Sequence, residues 1–149
     1  NLEILEQNLA LNPGLRGSVQ ITGRPLWSRS GLPMHYRDNG PGSIVSLEPL
    51  PDADGTLESL TIDDFVAASG TRSIDFIKMD IEGAELEALR GARATLKAFR
   101  PKLAISVYHK PEHLTEIPEF IESLDLGYRF YLDHFTTHAE ETVLDAKAA

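Results

Sequence analysis

Three features that are absent or rare in this 149-residue chain exclude several kinds of site, location and partner. It contains no cysteine, which excludes disulfides and thiolate metal sites and favours the cytoplasm. It has no apolar run of about 18 residues, so we expect no transmembrane span, and its start lacks the pattern of a signal peptide. Basic residues are few, 14 against 23 acidic ones, giving a formal net charge of -9. That balance disfavours nucleic acid and anionic membranes as partners.

The histidines show no spacing that is typical of a metal site. There are five of them, and none forms an HExxH motif. His109 and His113 are four residues apart, but Pro111 lies between them and disfavours a continuous helix there. We therefore predict no histidine-only metal centre.

Length and composition are those of one globular domain, which we place at residues 1–149. Hydrophobic periodicity, turn residues and caps predict alternating helices and strands. We expect helices before residue 12 and over 62–68, 84–99 and 118–124, with a turn over 111–116. We expect strands over 19–21, 33–36, 44–47, 57–60, 74–81, 103–107, 128–132 and 142–146.

This alternation predicts an α/β fold. Continuous apolar strands separated by helices are typical of a parallel sheet that is covered on both faces. The last two predicted strands are joined without a helix, so we expect them to form an antiparallel pair beside a mostly parallel sheet.

The segment IDFIKMDIEGAE, residues 74–85, is the most informative stretch. Its apolar residues predict a buried parallel strand, yet Lys78, Asp80 and Glu82 interrupt it at every second position, which on a strand places them on one face. Gly83 follows, and a helix pattern begins. Polar groups at the carboxyl end of such a strand are typical of ligand sites in open α/β sheets. Burying them without partners would be costly.

The segment IDFIKMDIEGAELEALRGA, residues 74–92, resembles the FkbM family of S-adenosylmethionine-dependent methyltransferases. The resemblance extends over nearly the whole chain. It includes NLEILEQNLALN (1–12), GRPLWSRSG (23–31), TLESLTIDDFV (57–66), SVYHKPEHLTEIPEFI (106–121), YRFYLDHF (128–135) and ETVLDA (141–146).

The resemblance implies a Rossmann-like class I methyltransferase sheet with S-adenosylmethionine as cofactor. Such domains begin with a strand and a glycine-rich turn that hold the methionine end of the cofactor, and an acidic residue after the second strand holds its ribose. The chain matches the family only downstream of these elements. We therefore expect an N-terminally truncated, partial domain that lacks the first strands and, on its own, part of the cofactor site.

Four residues are predicted to act at the reacting groups. Methyl transfer to a hydroxyl needs alignment of nucleophile and methyl group, and a proton acceptor. Asp80 and Glu82 would place carboxylates near the methyl group, and Lys78 would hold their charge and position. His109, at the end of the adjacent predicted strand, is a candidate general base, because histidine exchanges a proton near neutral pH.

The resemblance places cofactor contacts at Trp27, Ser28, Asp80 and Glu82. Structural alternatives remain open for several of these residues. Lys78 and Asp80 could form an ion pair that seals the sheet end, and Glu82 could be a charge favoured at a helix N-terminus. Trp27, the only tryptophan, could be a core or loop anchor.

Three functions follow from these observations. The first is O-methylation of a small-molecule, sugar, glycan or lipid-like acceptor. The second uses Asp80 and Glu82 as oxygen ligands for Mg²⁺ in a hydrolase or metal-assisted transferase. The third is a non-catalytic remnant or interaction module of the same fold. A strand edge left open by truncation could also pair with a second copy of the chain.

Overall fold

The computed structural model describes residues 2–138 and 140–149, and these residues form two β-sheets. The smaller sheet contains β1 (Pro33–Arg37), β2 (Ile44–Ser46) and β3 (Gly55–Glu58) in the order β2-β1-β3. The larger sheet contains β4 (Phe76–Met79), β5 (Lys102–Ser106), β6 (Tyr128–His134) and β7 (Thr142–Ala148) in the order β4-β5-β7-β6.

Five α-helices accompany the sheets within the described residues: α1 (Leu2–Leu11), α2 (Ile62–Ser69), α3 (Glu85–Arg90), α4 (Arg93–Phe99) and α5 (His113–Glu122). Short 3₁₀ turns lie at Pro13–Leu15 and Gly40–Gly42. The main core lies between the larger sheet and α3, α4 and α5. Its fully buried members include Leu89, Leu96, Leu103, Ile105, Ile117 and Ile121. None of the described helices has both the length and the apolar character required to cross a bilayer.

The α/β class is confirmed, but the predicted mostly parallel sheet is wrong. Among the described strands of the larger sheet, only β4 and β5 pair in parallel, with Ile77 opposite Leu103. β7 is antiparallel both to β5 and to β6. The reason is the connections: α3 and α4 form a crossover that allows parallel pairing, whereas β6 and β7 are joined as a hairpin. The predicted antiparallel C-terminal pair is confirmed.

The predicted strands between residues 33 and 60 belong to a separate antiparallel sheet. β1 pairs with β2 on one side and with β3 on the other, and β3 begins earlier than predicted, at Gly55. The predicted strand over residues 19–21 is wrong, because that stretch has no strand partner and Val19 is exposed. In this region a single bridge joins Leu26 to Leu60.

The prediction of a buried strand over residues 74–81 is only partly correct. β4 lies at the edge of the sheet, so Phe76 is 56% exposed while Met79 is buried. The strand ends at Met79, and a turn follows. The alternation of faces predicted for Lys78, Asp80 and Glu82 therefore does not continue through the last two of these residues.

The single helix predicted over residues 84–99 is broken into α3 and α4 at Gly91 and Ala92. Asp63, in the first turn of α2, causes the break. Its backbone N–H donates to the Gly91 carbonyl (2.9 Å), and its carboxylate accepts from the N–H groups of Ala94 (2.9 Å) and Thr95 (2.7 Å). A carboxylate at this position satisfies free donors at the start of a helix. α4 is thus capped by a residue distant in sequence.

Gly91 also permits a close approach between the end of α3 and the segment before β1 that contains Trp27. A Cβ at position 91 would lie 2.2 Å from the Trp27 carbonyl oxygen, a backbone atom that cannot move aside alone. We expect Gly91→Ala to lower the free energy of unfolding by about 2–3 kcal/mol, as overpacking commonly does. Urea denaturation measures this change. Gly14→Ala is the matched control, because a Cβ there meets nothing within 4 Å. Equal stability of both variants would contradict the close contact.

The helix predicted over residues 118–124 begins earlier, at His113, and passes through Pro118. Proline at this position has no N–H to donate to the carbonyl of Leu114. Because Leu114 is exposed, water can bind that carbonyl instead. The buried face of the helix, with Ile117, Phe120 and Ile121, packs into the core and stabilises it in spite of the proline. The predicted turn over residues 111–116 is therefore largely helix.

The helix predicted over residues 62–68 is confirmed as α2 by its caps. Thr61 Oγ1 accepts a hydrogen bond from the N–H of Asp64 (3.0 Å), and Gly70 ends the helix with φ = 67°. Capping by threonine and a left-handed glycine are local signals, which explains why this helix could be predicted.

Candidate functional site

A cluster of polar side chains lies where β4 and β5 end. Asp80 and Glu82 follow β4 in the turn that leads to α3, and His109 follows β5. Because these two strands are parallel neighbours, their carboxyl ends meet at one edge of the sheet. In the turn, Glu82 and Gly83 have positive φ (54° and 90°), and Lys110 Nζ donates to the Gly83 carbonyl (2.6 Å).

The carboxylates of Asp80 and Glu82 both approach one ring nitrogen of His109. His109 Nε2 lies 3.5 Å from Asp80 Oδ1 and 3.6 Å from Glu82 Oε2. The His109 side chain is only 8% exposed, whereas about a third of each carboxylate side chain remains accessible (31% and 33%). Both contacts are longer than ordinary hydrogen bonds. The structure thus brings these three side chains together, and the turn, not strand alternation, places Glu82 there. Their role in catalysis stays a prediction.

Glu85 lies behind this cluster and is completely buried. Its Oε1 accepts a hydrogen bond from the N–H of Ile81 (2.9 Å) and lies 2.9 Å from His109 Nδ1. The imidazole does not align for a regular hydrogen bond to this oxygen. Glu85 therefore contacts both the turn that carries Asp80 and Glu82 and the ring of His109.

His113, at the start of α5, forms the other side of the buried group. Its Nδ1 lies 3.4 Å from Glu85 Oε2, and its side chain is 3% exposed. Burial lowers the pKa of His113, although the neighbouring Glu85 acts in the opposite direction. Burial thus favours the neutral form of this histidine.

Two side chains contact Asp80 from the outer side. Tyr108 donates a hydrogen bond to Asp80 Oδ1 (3.1 Å), and its ring lies 4.1 Å from the His109 ring. Burial and Asp80 raise the pKa of Tyr108 to about 12, so the hydroxyl keeps its proton at neutral pH. Lys78 Nζ lies 3.5 Å from Asp80 Oδ2 but is 63% exposed, which makes this the surface ion pair considered from the sequence.

The carboxylates open into a cavity of about 380 Å³, a size in the usual range for ligand pockets. Asp80, Ile81 and Glu82 form one wall, and Arg24 and Leu26 form part of the other. A neighbouring cavity of about 720 Å³ shares Arg24 and Val45 with the first. Its lining is largely apolar and includes Leu2, Ile4, Ile44 and Leu57.

Trp27 and Ser28 lie apart from the carboxylate cluster. Trp27 is half-buried, and its backbone N–H donates to the Leu60 carbonyl (3.0 Å). Its own carbonyl packs against Gly91, as described above. Neither residue lines either of the two cavities. Their predicted contact with a cofactor stays a prediction, and the anchoring contacts of Trp27 agree with its alternative interpretation.

Sequence reasoning missed Glu85, His113 and Tyr108. A glutamate in the first turn of a helix, as Glu85 is, is usually a charge that the helix dipole favours, so its position alone does not indicate burial. The signal for its burial was present, because Glu85, Ala88, Leu89 and Ala92 follow helical spacing and all are completely buried. A carboxylate on the buried face of a helix requires a partner, and the two histidines downstream are the groups that meet it.

Comparisons with known proteins place this geometry in context. The sequence model of one protein family, described as the methyltransferase FkbM domain, matches residues 55–130, about half of the chain. The crystal structure of methyltransferase FkbM from Methylobacillus flagellatus KT is similar, with a TM-score of 0.72 and 28% sequence identity. That match covers 97% of this chain but 33% of the other, so this chain spans about a third of its length. A comparison with curated proteins gave no match.

Proposed function

Because the chain belongs to the FkbM methyltransferase family, we propose that it uses S-adenosylmethionine to methylate a hydroxyl group. The observation that carries this proposal is the convergence of Asp80, Glu82 and His109 beside a cavity at the carboxyl edge of parallel strands. Ligands bind at this edge in open α/β sheets.

The cavity wall suits the chemical groups of S-adenosylmethionine. The carboxylates of Asp80 and Glu82 complement its positive charge and can accept hydrogen bonds from ribose hydroxyls. Leu26, Ile81 and Ala84 offer apolar surface for a base. When bound, the cofactor supplies an electrophilic methyl group.

The chain's own residues would prepare the acceptor. As the acceptor oxygen bonds to the methyl carbon, the sulfur–methyl bond breaks and sulfur keeps the electron pair. The hydroxyl proton must pass to a base. His109 Nε2 is one candidate acceptor, and the carboxylate oxygens of Asp80 and Glu82, 3.5 Å and 3.6 Å from it, are two others. Tyr108 keeps Asp80 oriented through its hydrogen bond.

The neighbouring cavity favours a particular class of acceptor. Its apolar lining and its shared wall with the carboxylate cavity suit a molecule with a polar end and an apolar part. We propose that the hydroxyl of a sugar or small molecule lies near Asp80, and that a lipid-like part follows Ile44 and Leu57.

Isothermal calorimetry with S-adenosylmethionine and S-adenosylhomocysteine tests the cofactor. We expect both to bind through the part of the cofactor site that this chain contains. Transfer of a labelled methyl group to a panel of sugars and hydroxylated lipids then tests the reaction, with O-methyl and N-methyl products separated by mass spectrometry. Absence of cofactor binding by the folded chain, or exclusive methylation of nitrogen, would contradict the proposal.

A further inference from the structure

The cluster that would accept a proton also has the composition of a cation site. Among the described residues, Asp80, Glu85 and His109 each bring one ligand atom to within 4.8 Å of the others. Glu82 lies outside this group, but its Oε2 is 3.6 Å from His109 Nε2, so binding of one ion by Asp80 and Glu82 together requires their side chains to move towards each other. Three carboxylates face two histidines and two lysines, Lys78 and Lys110, in this region, so a divalent cation would compensate the remaining acidic charge.

His109 supplies an observation independent of the acidic residues. Its side chain is more than nine-tenths buried, and Nε2 makes no hydrogen bond within the described residues. The atom is nevertheless aimed between two carboxylate oxygens. A buried nitrogen without a hydrogen-bond partner is costly, and a metal ion is one ligand that satisfies it.

The distances from His109 Nε2 to the two carboxylate oxygens are closer to the spacing of ligands around one metal ion than to the length of a hydrogen bond. Ligand bonds of about 2.1 Å place neighbouring ligand atoms roughly 3.0–3.4 Å apart. The observed separations of 3.5 Å and 3.6 Å from Nε2 are slightly longer. A small inward movement of the partly exposed Asp80 and Glu82 side chains would complete the arrangement.

Glu85 lies beside the ring nitrogen of His109 that would not bind the metal ion. It lies 2.9 Å from Nδ1, on the opposite side of the imidazole from the carboxylates that face Nε2. Histidines that bind metals commonly have a carboxylate beside the other ring nitrogen, which orients the ring and strengthens the ligand. Glu85 is also held by the N–H of Ile81, in the same turn as Asp80 and Glu82.

We infer that Asp80, Glu82 and His109 form a binding site for a divalent transition-metal ion, with Glu85 supporting His109. The imidazole ligand changes the class of metal from the Mg²⁺ considered for two carboxylates, because Mg²⁺ and Ca²⁺ are bound mainly by oxygen. Mixed nitrogen and oxygen ligands suit Zn²⁺, Co²⁺ or Mn²⁺. The inference goes beyond the proposed function, since metal binding does not require methyl transfer. The two roles of Nε2 are alternatives: in the metal-free chain it can accept a proton, whereas with an ion bound the acceptor hydroxyl would pass its proton to a carboxylate oxygen.

Calorimetry of chelator-treated protein with Zn²⁺, and visible absorption with Co²⁺, test the site without any cofactor. We expect one ion per chain, binding of Mg²⁺ at least tenfold weaker, and Co²⁺ bands that are lost in His109→Ala. Asp80→Asn provides a second variant on a partly exposed side chain, so its loss of affinity by tenfold or more is separable from misfolding.

His134→Ala is the matched control, because His134 lies on β6, which β7 separates from β5, and its side chain contacts Thr142 (2.8 Å). It should bind Zn²⁺ and Co²⁺ as the unchanged chain does. Absence of binding by folded protein, or equal binding by His109→Ala, Asp80→Asn and the unchanged chain, would overturn the inference. Calorimetry with S-adenosylmethionine in the presence of chelator separates this outcome from failure of the proposed function.

Discussion

His109→Ala is expected to reduce the rate of methyl transfer by about 10²–10⁴-fold, the usual contribution of a positioned proton acceptor. Nε2 is the atom on which Asp80 and Glu82 converge, and no other described side chain is placed between both carboxylates in this way. Alanine removes that atom while Asp80 and Glu82 remain. Transfer of a labelled methyl group, measured at saturating cofactor and acceptor, determines the change.

His134→Ala is the control for this assay as well, since its side chain is exposed and β7 lies between its strand and β5. Circular dichroism and the urea midpoint establish that each variant is folded. If folded His109→Ala transferred methyl groups within twofold of the rate of the unchanged chain, the assignment of His109 as the proton acceptor would be wrong.

Glu85→Ala is expected to lower the free energy of unfolding by about 3 kcal/mol. Its carboxylate is completely buried, accepts a hydrogen bond from Ile81 and contacts His109 and His113. Alanine would leave a buried backbone N–H without its partner, and an unsatisfied buried group costs about 1–3 kcal/mol. The lost contacts of two buried imidazoles and the space left by the side chain add to this cost. Urea denaturation measures the change.

Glu87→Ala is the matched control on the same helix. Glu87 is partly exposed and its visible ion pair is with Arg90, three residues later. Pairs of this kind contribute about 0.3–0.5 kcal/mol, so the control should be nearly as stable as the unchanged chain. If Glu85→Ala and Glu87→Ala had equal stabilities, the buried contacts of Glu85 would contribute no more than this surface pair.

Elements with signals in their own few residues were predicted well. Thr61 and Gly70 cap α2, and the helix lies within one residue of its predicted end. The apolar run that became β5 and the C-terminal hairpin of β6 and β7 were also predicted. Each of these signals depends on side-chain type and spacing, which operate locally.

Elements whose limits depend on distant partners were predicted poorly. Helix periodicity alone continues through Gly91, yet Asp63 ends one helix there and caps the next. Phe76 belongs to an apolar run, but its exposure follows from the position of β4 at the sheet edge. At Gly91 a contact with a distant residue overrides the helix propensity of the local sequence. At Phe76 the absence of a neighbouring strand among the described residues leaves an apolar side chain exposed.

The candidate site shows the same division. By itself, the sequence determined the elements that have local signals, the acidic residues that follow β4 and the family to which its pattern is similar. It also indicated His109 as a polar residue at the end of a neighbouring strand. Tertiary structure decided that Glu85 points into the core between His109 and His113, and that Nε2 lies between Asp80 and Glu82. The physical reason is that parallel pairing of β4 with β5 brings together groups almost 30 residues apart, a contact that no local preference encodes.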